Sequence, residues 1–337
     1  MEEDLILAKA VLSTGGTVRI PKDYRVPVRI SKSTAGPGAG NHSVVFSFNG
    51  MRVMKRISRN DGEFFFDPEK RTISKGGDVI AEDVSIIPVA FHCPGQAFFN
   101  LDQRCRLGCL FCSSPHLKVN ATRDLDDDTI VSLIKESKET IYSIALTTGV
   151  SGSVEDSVSR MAECVVRLRK EFPNVPIGVE PYVDDEEQID LLHDSGADEI
   201  KINVETATDG LFRTFCPKLE RNMIFDMLAH AVEVFGRNKV SSNIIVGLGE
   251  TDDDIHDIIE RLCSMGVTPT IRGLRINDDV KDILSSHGVR EQPSPERMVR
   301  IANIQKTVME EHGLDPRTFD TMCLRCTCCD LVPFIDL

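Results

Sequence analysis

The sequence predicts an α/β protein: a partial (βα)6 TIM-like barrel over residues 96–290, a small, mostly β domain before it over 1–95, and a helix with a cysteine-cluster extension after it over 291–337. Three observations predict this. After residue 96, strand-like and helix-like periods alternate about every 30 residues, the pattern of parallel strands joined by crossover helices. Before residue 90 the apolar period is close to two, in short segments bounded by Gly, Pro and Asn-Gly signals. Seven of the eleven cysteines fall in two tight groups, 105 to 112 and 323 to 329, one opening the alternating region and one near the chain end.

In chain order, Leu5, Ala8 and Leu12 recur at helical spacing and predict a helix over 1–12. Residues 17–20, 26–30, 43–48, 52–57 and 63–66 read as strands, and Asn49-Gly50 between two of them predicts a type I′ hairpin. The glycine-rich run Ser33 to Gly40 lacks the Gly-Lys-Ser/Thr of a phosphate loop. It reads as flexible turn chemistry or as a close backbone approach to a ligand. Beyond residue 96 the expected order is helix 126–139, strand 142–146, helix 155–171, strand 177–180, helix 185–194 and strand 199–202. Helix 221–235, strand 242–246, helix 252–265, strand 268–274 and helix 295–312 follow. With about six repeats, a partial barrel is more economical than a doubly wound sheet, and ligands should gather at the C-terminal strand ends.

The 337 residues carry a net charge of −14, which argues against general nucleic-acid binding, since that needs a basic footprint. Residues 19–59 run against the average, with nine Lys/Arg and one acid. That run is either a solvated basic face or a dock for an acidic partner. Apolar runs fall far short of the roughly 18 residues of a membrane span, and Met1-Glu-Glu-Asp has no basic leader, so the expectation is a cytoplasmic protein. Eleven cysteines in such a chain read as metal ligands or buried thiols. Cys93, Cys164, Cys216 and Cys263, which stand apart from both groups, are expected to be ordinary buried thiols.

Cys105, Cys109 and Cys112 are three thiols where a structural zinc site or a fully ligated [4Fe-4S] cluster takes four, so the trio suggests a cluster with one open iron. The other reading of this spacing is one buried helix face, against which Gly108 argues. The C-x3-C-x2-C pattern, with Phe111 before its last cysteine, resembles that of the radical S-adenosylmethionine (radical SAM) superfamily. The resemblance implies a [4Fe-4S] cluster whose open iron is chelated by S-adenosylmethionine, with reductive cleavage to a 5′-deoxyadenosyl radical.

Three further segments extend it over about residues 98–277. Thr147-Thr148-Gly149 loosely resembles the family segment whose backbone contacts the methionyl amino group, and reads equally as a strand-end turn. Lys201 to Thr206 resembles a lipoyl synthase segment, which implies that Asn203 and Glu205 lie near the nucleoside or the cluster. Ser241 to Thr251 resembles the strand-loop of biotin and lipoyl synthases that ends in Val-Gly-Leu-Gly-Glu-Thr. There Ile245 would pack on adenine, and Gly247 would allow close backbone approach. By that alignment Ser241 stands where biotin synthase has a ligand of its second cluster. Cys323, Cys326, Cys328 and Cys329 offer an auxiliary [4Fe-4S] site instead, with zinc as the other reading.

The resemblance therefore implies an enzyme of the biotin/lipoyl synthase-like branch, most like a component of a two-protein lipoyl synthase. It would insert sulfur into an unactivated C–H bond of an octanoyl chain on an acylated carrier (lipoyl) domain. The partners implied are that domain, a second related radical SAM protein and an electron donor. Methylthiolation or rearrangement with a relay cluster is the alternative within the superfamily, and a zinc-binding scaffold the alternative outside it.

Overall fold

The computed structural model describes residues 2–28, 31–32, 42–89, 91–116 and 125–337. Helix α1 (Glu2–Thr14) leads into strands β1 (Val18–Arg19), β2 (Ser31–Lys32), β3 (His42–Phe48), β4 (Met51–Ser58), β5 (Phe64–Asp67), β6 (Thr72–Lys75), β7 (Asp78–Ala81) and β8 (Ser85–Ile87). They form one sheet in the order β2-β3-β4-β1-β5-β6-β7, with β8 beside β3. Asn49 (φ 47°) and Gly50 (φ 82°) both take positive φ and join β3 to β4 in antiparallel register, as a type I′ turn requires. The short β1 pairs parallel with both β4 and β5. The strand expected over 26–30 does not form at Val26–Val28, where Pro27 has no N–H to give a ladder. Its other two residues, and Ser33 to Gly40, lie outside the described residues. Helix α1 packs on β4 and β7, and its Leu12 joins Phe46, Phe64, Phe66 and Ile73 in one apolar core.

The second sheet has six parallel strands: β9 (Gln96–Asn100), β10 (Ser143–Thr147), β11 (Ile177–Glu180), β12 (Glu199–Lys201), β13 (Val240–Val246) and β14 (Thr268–Gly273). They lie side by side in chain order, without the reversal that marks a doubly wound sheet, so the partial-barrel expectation holds. The crossovers are α2 (Asp127–Lys135), α3 (Val154–Glu171), α4 (Glu186–Asp194), the pair α5 (Asp209–Phe215) and α6 (Arg221–Phe235), and α7 (Asp252–Ser264). Helices α8 (Lys281–Ser286), α9 (Pro295–Glu311) and α10 (Met322–Cys326) complete the chain. Side-chain caps from Asp126, Ser153, Asp185, Thr208, Thr251 and Ser294 start six of these helices. Among the described residues, no helix is long and apolar enough to cross a membrane.

Successive strand residues face opposite sides of a sheet. Ala97, Phe99, Ile144, Leu146, Ile177, Val179, Ile200, Ile244 and Ile271 share the core with apolar positions of α2, α3, α4, α6 and α7. The alternate set, facing the concave side, is polar: Gln96, Ser143, Glu180, Glu199, Lys201, Asn243, Thr270 and Arg272 among them. A closed barrel fills this side with branched apolar residues. Here the C-terminal segment covers part of it. The Glu199 carboxylate accepts from the backbone N–H of Asp320 and Thr321, both at 2.9 Å. The Gln96 amide bonds both the N–H and the carbonyl of Met322, at 3.0 and 3.1 Å. From the N-terminal sheet, Met54 N–H donates to the Cys328 carbonyl at 2.8 Å. The Lys9 ammonium donates to the Thr327 carbonyl at 2.8 Å and pairs with Asp336 at 2.6 Å. The cysteine segment is therefore clamped between the two sheets.

Gly178 makes room for it. A Cβ there would fall 2.1 Å from Thr321 Oγ1. Gly178→Ala is expected to destabilise the protein by about 1–3 kcal/mol, the usual range for overpacking. Adding Thr321→Ala should recover much of the loss in a double-mutant cycle of urea unfolding. Additive effects would mean that the contact does not hold the segment.

Candidate active site

The first cysteine group sits at the C-terminal end of β9, on a stretch with no helix, so the buried-helix reading of its spacing fails. Gly108 (φ 72°) turns the chain between Cys105 and Cys109. The loop runs beside the exit of β10. Leu101 N–H donates to Thr147 O at 2.9 Å, Gly149 N–H to Asp102 O at 2.7 Å and Arg106 N–H to Val150 O at 2.7 Å. A Cβ on Gly149 would lie 2.2 Å from the Arg104 carbonyl, so the Thr147-Thr148-Gly149 turn is shaped by the cysteine loop itself. Asp102 fixes the loop's start through Arg104 (2.9 Å) and Ser151. Lys218 donates to Arg106 O at 2.6 Å and Leu110 N–H to Phe215 O at 2.9 Å.

All three thiols are half-buried. Burial pushes the Cys112 thiol up to about 11. Buried Cys216, an ordinary core thiol by expectation, hydrogen-bonds Cys109, and that contact together with burial holds its pKa well above the usual thiol range.

Around the loop the strand ends bring the other expected residues together. Asn203 Nδ2 donates to Glu180 Oε1 at 3.0 Å, Asn243 Nδ2 reaches the same oxygen at 3.3 Å, and the Lys201 ammonium lies 3.7 Å from it. Glu180 is thus the hub of the polar cluster, and sequence reasoning passed over it. Its only signal was an acid closing an otherwise apolar strand. Glu205 is held at φ 62°, outside the ordinary range for a glutamate, by its N–H to Asn243 O (3.0 Å) and by its carbonyl accepting from Ile245 N–H (2.8 Å). Ile245 packs against the apolar cluster that contains Phe215, Leu248 and Leu274, as do Leu110 and Phe111 of the cysteine loop. Gly247 (φ 113°) and Gly249 (φ 119°) turn the next loop. The Glu250 carboxylate closes that turn by accepting from Gly247 N–H (2.7 Å) and Leu248 N–H (2.9 Å), and it pairs with Arg297 at 3.1 Å.

Burial raises Glu205 to about 8, the Glu180 carboxylate adds to the rise, and Lys201 and Asn203 oppose it. An acid whose folded pKa is raised binds more protons folded than unfolded, so stability falls as pH climbs from the ordinary carboxylate range toward 8. In the metal-free protein, Glu205→Gln should therefore gain stability on wild type between pH 5 and pH 9. Urea unfolding across that range checks it, and a constant difference between the two proteins would contradict it.

The second cysteine group meets this cluster from below. Lys201 donates to Cys323 Sγ at 3.0 Å. Burial works against the charge on Lys201, but Cys323 and Glu180 outweigh it and raise its pKa. Cys323 and Cys329 line a cavity of about 10 Å³ with Thr270, Arg272 and Gln305, room for about one water. Asp330 pairs with Arg272 (3.3 Å) and Arg275 (3.1 Å). Cys326, Cys328 and Cys329 are buried, and Cys93 packs with the first two. Cys328 and Cys93 both hydrogen-bond Cys326 and hold its pKa well below the usual thiol range.

Among the described residues, no three His, Cys, Asp or Glu side chains are arranged as a group that could hold a single metal ion. The donor chemistry suits iron–sulfur centres at both places: sulfur donors grouped by chain turns, with Lys9, Lys201 and Arg272 near the second group to offset thiolate charge. Asn100 Oδ1, Ser143 Oγ and Thr268 Oγ1 are buried without a partner on or beside the polar concave face. Such atoms point to a ligand or water there.

Comparison with known proteins agrees with this geometry. Residues 100–262 match the family described as the Radical SAM superfamily. Lipoyl synthase of Ectopseudomonas mendocina (strain ymp) is 26% identical, over 65% of this chain and 65% of its own. Lipoyl synthase of Histophilus somni (strain 2336) is 30% identical, over 51% of this chain and 54% of its own. The chain thus spans about half to two thirds of the length of these curated relatives. The crystal structure of methylornithine synthase superposes with a TM-score of 0.52 at 15% identity, covering 66% of this chain and 70% of that one, a likeness of fold. The half-buried cysteine trio, the strand ends converging on it and the match over 100–262 mark that stretch of the chain as a radical SAM domain.

Proposed function

We propose that the protein inserts sulfur into an unactivated C–H bond of an octanoyl chain on a carrier domain, as one component of a two-protein lipoyl synthase. The lipoyl synthase relatives support the reaction class. The observation that carries it is the Lys201 bridge. One ammonium reaches Cys323 of the C-terminal group at 3.0 Å and lies 3.7 Å from Glu180, the hub of the cluster beside the first cysteine group. Sulfur ligands and radical site would therefore share one concave face.

Cys105, Cys109 and Cys112 would hold a [4Fe-4S] cluster that, with S-adenosylmethionine bound, supplies a hydrogen-abstracting radical. Cys323, Cys326, Cys328 and Cys329 would hold an auxiliary cluster that supplies sulfide. The chain's own residues orient and shield. Asn203 and Glu205 would meet the nucleoside, and Ile245 with Phe111 would flank adenine. Thr147, Thr148 and Gly149 would face the methionyl group, and Gly247 would allow backbone approach. Lys201 and Arg272 would hold negative charge on the thiolate side. Anaerobic reconstitution followed by mass spectrometry of an octanoylated carrier peptide tests the reading. Sulfur gained on the octanoyl chain supports it, whereas S-adenosylmethionine cleavage without sulfur transfer returns the protein to an unspecified radical reaction.

The carrier would dock on the basic N-terminal segment. Lys55 takes no part, because it is buried and donates to the carbonyls of Leu12 (2.6 Å) and Gly15 (2.5 Å), and burial lowers its pKa to about 7. Lys22, Arg25 and Arg56 are exposed. Charge reversal at these three should weaken carrier binding several-fold at low salt and flatten its salt dependence, since steering is screened over about 8 Å at physiological ionic strength. Unchanged affinity at low salt would make the segment a solvated face.

A further inference from the structure

We propose that Cys93 is a ligand of the auxiliary iron–sulfur site, so that this site is assembled from the stretch preceding β9 and the C-terminal segment together. The inference rests on the C-terminal cysteines holding a cluster, as proposed above. Nothing in the spacing of Cys323, Cys326, Cys328 and Cys329 calls for a fifth thiol, and Cys93 lies more than two hundred residues away in sequence.

The fold brings it there nonetheless. Cys93, Cys326 and Cys328 are 1%, 4% and 1% exposed and form one small apolar cluster with Val45, Met54 and Val89, separate from both large cores. The Cys93 and Cys326 thiols hydrogen-bond each other, and Cys328 Sγ lies 3.2 Å from the Cys326 carbonyl. Three thiols packed together with no disulfide among them form a sulfur-rich patch of the interior, bordered by apolar side chains. That is a surrounding suited to an iron–sulfur cluster, whose inorganic sulfide and thiolates are poorly served by water.

The placement is fixed on both sides of Cys93. Cys93 pairs with Gln96 in an isolated bridge, and the Gln96 side chain bonds both backbone groups of Met322, at the start of the helix that carries Cys323 and Cys326. Met54 N–H holds the Cys328 carbonyl from the opposite wall. Cys323, by contrast, is not part of this cluster and accepts from Lys201 at 3.0 Å. Within the C-terminal four, Cys323 is thus the one thiol that is not fully buried, and Cys93 joins Cys326 and Cys328 in the buried set.

The test uses the full chain with Cys105, Cys109 and Cys112 changed to Ala, so that only the auxiliary site takes up iron. After anaerobic reconstitution, iron and sulfide per chain and the electron paramagnetic resonance spectrum of the reduced protein are measured, alone and with Cys93→Ala, Cys93→Ser or Cys263→Ala added. The parent should hold about four irons. Cys263→Ala should leave that number unchanged. Cys93→Ala should lose most of the iron, and Cys93→Ser, which keeps the packing nearly intact, should retain iron with an altered spectrum if the serine oxygen ligates. Full iron and an unchanged spectrum in both Cys93 variants would overturn the assignment of Cys93 while leaving the auxiliary cluster standing. A parent that takes up no iron would overturn the auxiliary cluster itself. Loss of iron in Cys93→Ala together with an unchanged Cys93→Ser spectrum would make Cys93 a packing residue and also overturn the proposal.

Discussion

Changing Cys105, Cys109 and Cys112 together to Ala is expected to reduce 5′-deoxyadenosine formation to background while iron remains at the C-terminal site. The expectation follows from where the three thiols stand. They share one helix-free loop at the end of β9, half-buried, and the loop is tied to the β10 exit by three backbone hydrogen bonds of 2.7–2.9 Å. No other cysteine belongs to that loop, and Cys216, the thiol in contact with Cys109, is buried with its pKa raised. No substitute ligand set is therefore at hand. The C-terminal cysteines are held by separate anchors, Gln96, Glu199, Met54 and Lys9, none of which is a residue of that loop. Losing one group should leave the other folded. Chromatography of the reaction products and iron analysis of the same sample check both halves, and full cleavage activity in the triple variant would end the radical reading.

Single Cys-to-Ala changes at 323, 326, 328 and 329 are expected to do the reverse. S-adenosylmethionine cleavage should stay largely intact, and carbon–sulfur bond formation should be lost for at least three of the four. Cys326 and Cys328 should show the largest effect, because they are buried in mutual contact and a missing thiol there cannot be replaced by water. Cys323 differs, since its thiol meets Lys201 on the concave face. Its removal leaves a buried ammonium with Glu180 as its remaining anionic neighbour at 3.7 Å, so this variant should also shift the pH dependence of turnover. Cleavage lost in parallel with sulfur transfer in all four variants would mean that the C-terminal group serves the radical site itself.

Much of the fold was legible because it is local. Period-two and period-3.6 patterns and the Asn49-Gly50 turn each act over a few residues, and most of the expected strands and helices form within a few residues of their expected bounds, whereas β6 to β9, α5 and α8 were not expected. The failures were where a local signal meets an obstacle or a distant partner. Pro27 removed a donor from an otherwise β-branched run. The strand expected over 142–146 is Ser143–Thr147, and its inward Ser143 and Thr147 belong to a polar face that only the whole sheet assembles.

At the site, the cysteine loop and the Val-Gly-Leu-Gly-Glu-Thr turn were readable because their residues are contiguous. Glu250 could be seen in that motif, but that it closes the turn by accepting from Gly247 and Leu248 could not. Glu180 and Cys93 were illegible for another reason. Each matters through neighbours on other strands or at the far end of the chain, and neither stands in a pattern of its own. Lys55 looks like part of a basic surface in the sequence but is a buried donor to two carbonyls at the end of α1, a role that only the packing of α1 on β4 reveals.

The most direct test of the central claim, that the C-terminal cysteine site furnishes the sulfur, is a single turnover with protein whose clusters are reconstituted from 34S-sulfide, followed by mass spectrometry of the carrier peptide. The account predicts product carrying the 34S label, lost when Cys326 or Cys328 is Ala. Product formed in that single turnover without label would contradict it.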